Sequence, residues 1–344
     1  LKQLILAKTE GTPFFMEEIV QELVEQGVLR QDSSVEWVTT HPTTALHLPT
    51  TVQGVLAARI DRLTPDEKAL LQQLAVIGRE FPLGLIRQVL PQSEDTLYRL
   101  LTSLQHREFL YEQPAFPEVE YIFKHALTQE VAYGTVLQER RKVLHEQTAQ
   151  AIELLYKEKL DDCYSALAHH YSRSNNTEKA IEYLQLAGQQ AVQRSANSEA
   201  VTHLTAALDL LKTLPETPEG TQQELLLQIA LGLPLIFIKG YTAPEVGKTY
   251  TRAGALCLQV GEPSKLFQIL RGLLAFDLNR GEMQTAHEIG KQLLNLAKDQ
   301  QNPLLLLEAH YSMALTLFPL GEMRLAYEHA EQCEFLYNPQ YNSV

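Results

Sequence analysis

The tripeptide Gly281-Glu282-Met283 returns 40 residues later as Gly321-Glu322-Met323, and this recurrence restricts the C-terminal part of the chain more than any single residue does. At the same offset Pro263 pairs with Pro303, Leu266 with Leu306, Ala286 with Ala326 and Glu288 with Glu328. A period of this length holds two helices and their turns. Such a pair cannot bury its apolar face alone, so successive pairs must stack into a solenoid. Small residues at Ala286, Gly290, Ala326 and Ala330 let paired helices approach closely. A degenerate copy lies upstream, where Asn176-Thr177-Glu178-Lys179-Ala180 and Asn197-Ser198-Glu199-Ala200 both read as a turn leading into a helix.

With 344 residues, two or three domains are expected, each able to bury its own core. Leu and Ala dominate and strand-like alternation is confined to one short region, so the chain reads as mostly α. The net charge of -13 argues against nucleic acid or an anionic membrane as partner, because phosphate neutralisation needs clustered cations. Cys163, Cys257 and Cys333 stand far apart, which suits a reducing, cytoplasmic setting and supports neither a disulfide framework nor a zinc site. Cys333 falls on an apolar stripe with Met323, Ala326, Tyr327 and Ala330 and aligns with Leu293, so a core thiol is expected. The longest apolar run, Leu225 to Ile238, is interrupted by Gln228, Gly232 and Pro234 and falls short of the ~20 residues needed to cross a bilayer.

The N-terminal half has a different grammar. In residues 1–31 two helical segments flank Gly11-Thr12-Pro13, and Ile19, Val20, Leu23 and Val24 form a stripe on the second. Residues 32–50, with Leu48-Pro49-Thr50, read as a linker. In residues 51–139, Thr64-Pro65-Asp66-Glu67 is a capped helix start, and Leu70, Leu71, Leu74 and Ala75 share one face. Ser93 caps a second helix through Leu97, Leu100, Leu101 and Leu104. Phe109-Leu110-Tyr111 and Tyr121-Ile122-Phe123, separated by Pro114 and Pro117, are two strand candidates. Helices followed by a two-stranded hairpin predict a winged helix. Such folds often place a helix in the DNA major groove, but residues 51–136 carry eight Lys or Arg against eleven Asp or Glu, and Glu118 and Glu120 flank the wing.

No catalytic constellation is found. A P-loop needs Gly, four residues, then Gly-Lys-Ser/Thr. Gly247-Lys248-Thr249 imitates its tail, but Thr242 stands where the first glycine belongs and Glu245 would face the phosphates. His169 and His170, adjacent on a helix, diverge by about 100° and do not form a metal pair. No metal ligands and no nucleophile with its base are assigned.

Three segments occur in one order: Glu10-Gly11-Thr12-Pro13-Phe14-Phe15-Met16-Glu17-Glu18, then Leu48-Pro49-Thr50-Thr51-Val52-Gln53-Gly54-Val55-Leu56 with Arg59-Ile60-Asp61-Arg62-Leu63, then Phe123-Lys124-His125-Ala126-Leu127. Together they resemble the STAND signalling ATPases, in particular the bacterial branch in which an AAA-type ATPase is joined to tetratricopeptide-like repeats and often to a class III nucleotide cyclase or a protein kinase. Lys239-Gly240-Tyr241 resembles that branch's repeat region.

The resemblance implies that residues 1–31 are the end of the helical lid and that 51–139 are the winged helix. Residues 140–344 are then a tetratricopeptide-like α-solenoid. It implies that Gly11 permits the tight turn that packs Pro13 on an adenine, and that His125 reaches the phosphates. Plant and animal members read Met-His-Asp where this chain has Lys124-His125-Ala126. ATP or ADP with Mg is implied for a longer parent protein, with none held by this stretch alone. The chain begins at Leu1 rather than Met, and an internal piece is expected, with any catalysis upstream. Implied partners are a protein or peptide on the repeats and an output domain of the same chain. The alternative is a nucleotide-independent scaffold of helical repeats.

Overall fold

The computed structural model describes residues 2–9, 11–31, 37–39, 50–90, 92–115 and 118–337. Glu10, Leu48-Pro49 with most of the linker, Pro117 and residues 338–344 lie outside them. The chain is mostly helical and divides into two compact units, one running to Cys163 together with 173–175, the other covering 164–172 and 176 onward.

In the first unit, helices α1 (Lys2–Thr9) and α2 (Pro13–Glu25) precede strands β1 (Leu29–Gln31) and β2 (Trp37–Thr39). The strands pair antiparallel with Leu29 opposite Thr39. This ribbon falls partly in the stretch expected to be a linker. Three-residue strands are too short to show an alternating pattern.

Then follow α3 (Val52–Asp61), α4 (Pro65–Ile77), β3 (Glu80–Pro82), α5 (Leu83–Val89) and α6 (Glu94–His106). The unit continues with β4 (Leu110–Gln113), β5 (Glu120–Phe123), α7 (Ala126–Gly134) and α8 (Gln138–Leu155). The α4 start is the reciprocal box read from the sequence: Glu67 N–H donates to Thr64 Oγ1 at 3.4 Å, and Thr64 N–H donates to Glu67 Oε2 at 2.9 Å. Leu70, Leu71, Leu74 and Ala75 are buried, as are Leu97, Leu100, Leu101 and Leu104 on α6. The sheet has three strands rather than the two expected, in the order β3-β5-β4, all antiparallel. The missed strand is only Glu80-Phe81-Pro82, ending in a proline that sits at a sheet edge as proline must. It is fixed by burial of Phe81, whose ring packs edge-on against Phe123 at 5.9 Å. Helix α8 begins where the repeats were expected to start, yet it groups with this first unit.

The second unit is a run of helices: α9 (Tyr164–Tyr171), α10 (Thr177–Gln193), α11 (Asn197–Leu211), α12 (Pro218–Lys239), α13 (Pro244–Val260), α14 (Leu266–Arg280), α15 (Met283–Gln300), α16 (Pro303–Leu317) and α17 (Met323–Leu336). Each packs on the next, and α10, α12, α14 and α16 also touch in sequence, so the array is layered as a solenoid requires. The 40-residue recurrence has a backbone counterpart. Gly281 and Gly321 have φ of 83° and 82°, and the following Glu282 and Glu322 take near-identical dihedrals as they enter α15 and α17. Gly261 and Gln301 are also left-handed, so within these repeats the chain reverses hand every 20 residues. The half-period escaped the sequence because a glutamine fills one of its positions.

Close approach explains three further glycines of the array. Tyr250 of α13 is buried against Gly232 of α12 and Gly272 of α14, where an added Cβ would lie 2.4 and 2.3 Å from its ring. Gly290 meets Met313 in the same way. Helix α12 is long and apolar enough to cross a bilayer by length and composition, which corrects the view of it as too short. Its hydrophobicity has a local use: Leu225, Leu227, Ile229, Leu231, Leu235 and Ile236 are buried in the array. Cys333 is not a core thiol. Met323, Tyr327 and Ala330 are exposed and only Ala326 is buried on α17, because no described helix packs beyond it. The Cys333 thiol, half-buried, lies 3.5 Å from the Leu307 carbonyl oxygen.

Candidate functional site

The Gly11-Thr12-Pro13 turn is built by local rules. Thr12 N–H donates to the Thr9 carbonyl at 2.9 Å, closing α1. Gly11 has φ of +77° with open space where a Cβ would sit, so glycine is needed there for backbone hand and not for room. Pro13 takes the first position of α2, where the missing N–H costs nothing.

His125 stands at the N-cap of α7 in extended conformation, and its carbonyl accepts from Thr128 N–H at 3.1 Å. Its ring lies 4.1 Å from that of Phe14, tilted by 47°. The fold therefore brings the histidine against the residue next to Pro13, although 111 positions separate Phe14 from His125 in the sequence. Nε2 of His125 is buried and makes no hydrogen bond among the described residues. Burial is the main reason its pKa is lowered, and Lys124 adds to that, while Glu18, Glu17 and Glu108 pull the other way. At neutral pH the imidazole is then uncharged and holds one N–H donor and one acceptor.

Pro13, Met16, Glu17, Val20 and Gln21 on α2 face Glu108 and Lys124 across a cavity of about 490 Å³. Lys124 Nζ lies 2.6 Å from Glu108 Oε2, so the one lysine in the wall is already partnered. His125 does not line this cavity but stands beside it, next to Lys124 and against Phe14. The structure thus places Pro13 in the wall, Gly11 in the turn that presents it, and His125 at the adjoining end of β5.

Sequence reasoning missed Phe14, Glu18 and Arg59. Arg59 is 1% exposed and bonded to Glu25 by Nε at 3.1 Å and Nη2 at 2.8 Å, to the Arg107 carbonyl at 2.6 Å, and to Glu18 through Nη1. Its guanidinium also lies over the Phe109 ring at 4.8 Å. Burial disfavours its charge, but Glu25 and Glu18 more than offset this and its pKa is raised. A signal existed in the sequence. Val52, Val55, Leu56 and Ile60 set an apolar stripe on α3, and Arg59 falls on it at i+4 from Val55.

A larger cavity of about 740 Å³ lies in the second unit beside Gly247, Lys248, Arg252, Phe276 and Arg280. Its chemistry does not suit a phosphate. Gly247-Lys248-Thr249 lies inside α13 with no loop amides to offer. Gly247 is accounted for by the Phe276 ring, which a Cβ would meet at 2.5 Å. Arg252 is bidentate to Glu224, and Arg280 lies over Phe276. Among the described residues no group of three or more His, Cys, Asp or Glu is gathered as a metal set.

No family model matches the chain. It is 27% identical over 320 residues to an uncharacterized protein of Rhizobium meliloti (strain 1021), covering 91% of this chain and 30% of the relative. The chain thus spans under a third of that protein's length. Among solved structures, it is similar to a STAND protein with a tetratricopeptide repeat sensor from Pyrococcus horikoshii, with a TM-score of 0.40 and 12% identity over 96% of this chain and 56% of the other. It is also similar to BtubC (BKLC) from P. vanneervenii, with a TM-score of 0.26 and 14% identity over 84% and 94% of the two chains. Both scores are below the level of a shared fold.

Proposed function

We propose that this chain is the regulatory and sensor region of a STAND-type signalling ATPase. In this reading α1 and α2 end the ATPase lid, the elements from α3 to α7 form a winged helix, and the helical array senses a partner and biases an output domain. The observation that carries it is the meeting of the Gly-x-Pro turn with His125 through Phe14, beside a cavity walled by Pro13. Two motifs that the family uses on one nucleotide are thereby adjacent in space.

The residues suit such a ligand. Pro13 and Met16 offer apolar surface to a purine face, while the unbonded Nε2 of His125 lies buried beside the cavity and would meet a phosphate oxygen only after the Pro13 turn moves away from it. Nucleotide supplies a body that touches both the lid turn and the His125 end of the unit, so its loss or exchange shifts the balance between two arrangements of them. Mg and the phosphate grip belong to a P-loop elsewhere in the parent protein. In the P-loop-containing protein, saturating ADP is expected to raise the melting temperature, and Pro13→Ala or His125→Ala to reduce that rise. No rise with ADP would favour the rival reading.

That rival is a nucleotide-independent scaffold. The observation favouring it is the exposed row Leu304, Tyr311, Leu315 and Phe318 on one side of α16, a surface suited to a peptide or helix. Binding of a partner with equal affinity with and without ADP would select it.

A further inference from the structure

We infer that Arg59 is the positioning residue of the Pro13/His125 site, clamping from behind both walls whose spacing sets the Phe14–His125 contact. The Arg-Ile-Asp-Arg-Leu segment has no part in contacting a ligand in the reading above. As a clamp, Arg59 at the head of this segment acts from behind the site, and the assignment rests on the proposed function only for its consequence in the parent protein.

The geometry runs outward from the guanidinium. On one side Nη1 holds Glu18, which follows Phe14 by one helical turn on α2, while Nε and Nη2 hold Glu25 two turns further on. On the other side Nη2 donates to the Arg107 carbonyl, and the guanidinium plane covers Phe109. The Phe109 carbonyl accepts from Lys124 N–H at 3.0 Å, which ties it to the residue immediately before His125. One planar cation therefore fixes the α2 wall through two carboxylates and the His125 wall through a carbonyl and a ring.

The choice of an ion rather than an apolar side chain is informative. A cluster of Ile19, Leu23 and Val55 already joins α2 to α3, but apolar contacts are non-directional and tolerate sliding. A guanidinium has donors in a fixed fork, so its acceptors must sit where the fork points. Arg62 reinforces the same seam by bonding Glu22, whose other carboxylate oxygen is buried and makes no hydrogen bond among the described residues. Exchanging Arg59 for Lys would keep the charge but could not serve two carboxylates and a carbonyl in one plane.

The test is made on the ligand-free 344-residue chain, so that it is separate from any test of nucleotide binding. In selectively labelled protein, with His125 assigned by its disappearance in His125→Gln, the NOE between the Phe14 ring and the His125 imidazole is followed through a pH titration. Arg59→Lys and Arg59→Gln are expected to lose this NOE while the chain stays folded. The His125 midpoint should move up, toward that of an ordinary imidazole, as the ring becomes hydrated. Ile86→Ala, a buried truncation elsewhere in the same unit, should leave both readouts unchanged. Should the Arg59 variants fail to fold, Glu18→Gln decides, with loss of the NOE expected. Retention of the NOE and midpoint in the folded variants, or equal loss in Ile86→Ala, would overturn the assignment. A nucleotide-insensitive parent protein would instead remove the proposed function and leave this clamp standing.

Discussion

The two units are held by different physics. Around the candidate site, buried charges meet across long sequence distances, with Arg59 reaching back 41 residues to Glu18 and forward 48 to the Arg107 carbonyl. In the repeats the order is periodic and almost wholly apolar, with small residues admitting large ones and left-handed residues spaced 20 apart. The first kind of order is directional and depends on single residues. The second is distributed, and each position carries a modest share.

The sharpest way to break that contrast is Arg59→Ala. It leaves Glu18 buried without its cation, and removal of one partner from a buried pair costs about 3–5 kcal/mol. Urea denaturation of the chain should show this loss in the first unit's transition alone. In the repeats, Gly272→Ala drives a Cβ to within 2.3 Å of the Tyr250 ring, an overpacking expected to cost about 1–3 kcal/mol. Tyr250→Leu in the same chain should recover part of it, and calorimetry of the single and double variants measures the coupling.

A smaller pair of changes tests the half-period. Gly281→Ala has free space but the wrong hand and should cost about 1 kcal/mol, whereas Gln301→Gly relieves the same strain and should raise stability by a similar amount. Opposite shifts in the melting temperature are the expected result.

The smallest effect concerns His310 on α16 and His329 on α17, whose Nδ1 atoms are 2.8 Å apart. One of the two nitrogens must be unprotonated for that bond. Burial lowers the pKa of both. For His310, His329 and Lys298 add to the lowering; for His329, Glu328 opposes it while Lys298 and His287 add to it. A lowered folded-state pKa means the unfolded chain binds more protons. Stability of the repeats is therefore full above the ordinary imidazole value of about 6.5 and falls as pH drops below it. Melting temperatures of the chain between about pH 7 and 5 should show this acid limb, and His310→Gln with His329→Gln should flatten it.

In both units much of the helical architecture was legible because its code is local. The Gly-Glu-Met recurrence, the Thr64 box and the buried leucines of α4 and α6 are each decided within one or two helical turns. Expectations failed where a neighbour distant in sequence sets the outcome. Strand β3 exists because β5 lies beside it, and Cys333 stays out of the core because no described helix covers α17.

The candidate site divides along the same line. By itself the sequence determined the Gly11-Thr12-Pro13 turn and the helix start at Pro13, because a left-handed glycine and a proline at the first helical position are properties of adjacent residues. Only the tertiary structure decided that Phe14 meets His125, that Nε2 is buried, and that Arg59 braces both walls. Those contacts join elements far apart in the chain, where desolvation and fixed donor geometry choose among partners that local pattern leaves open.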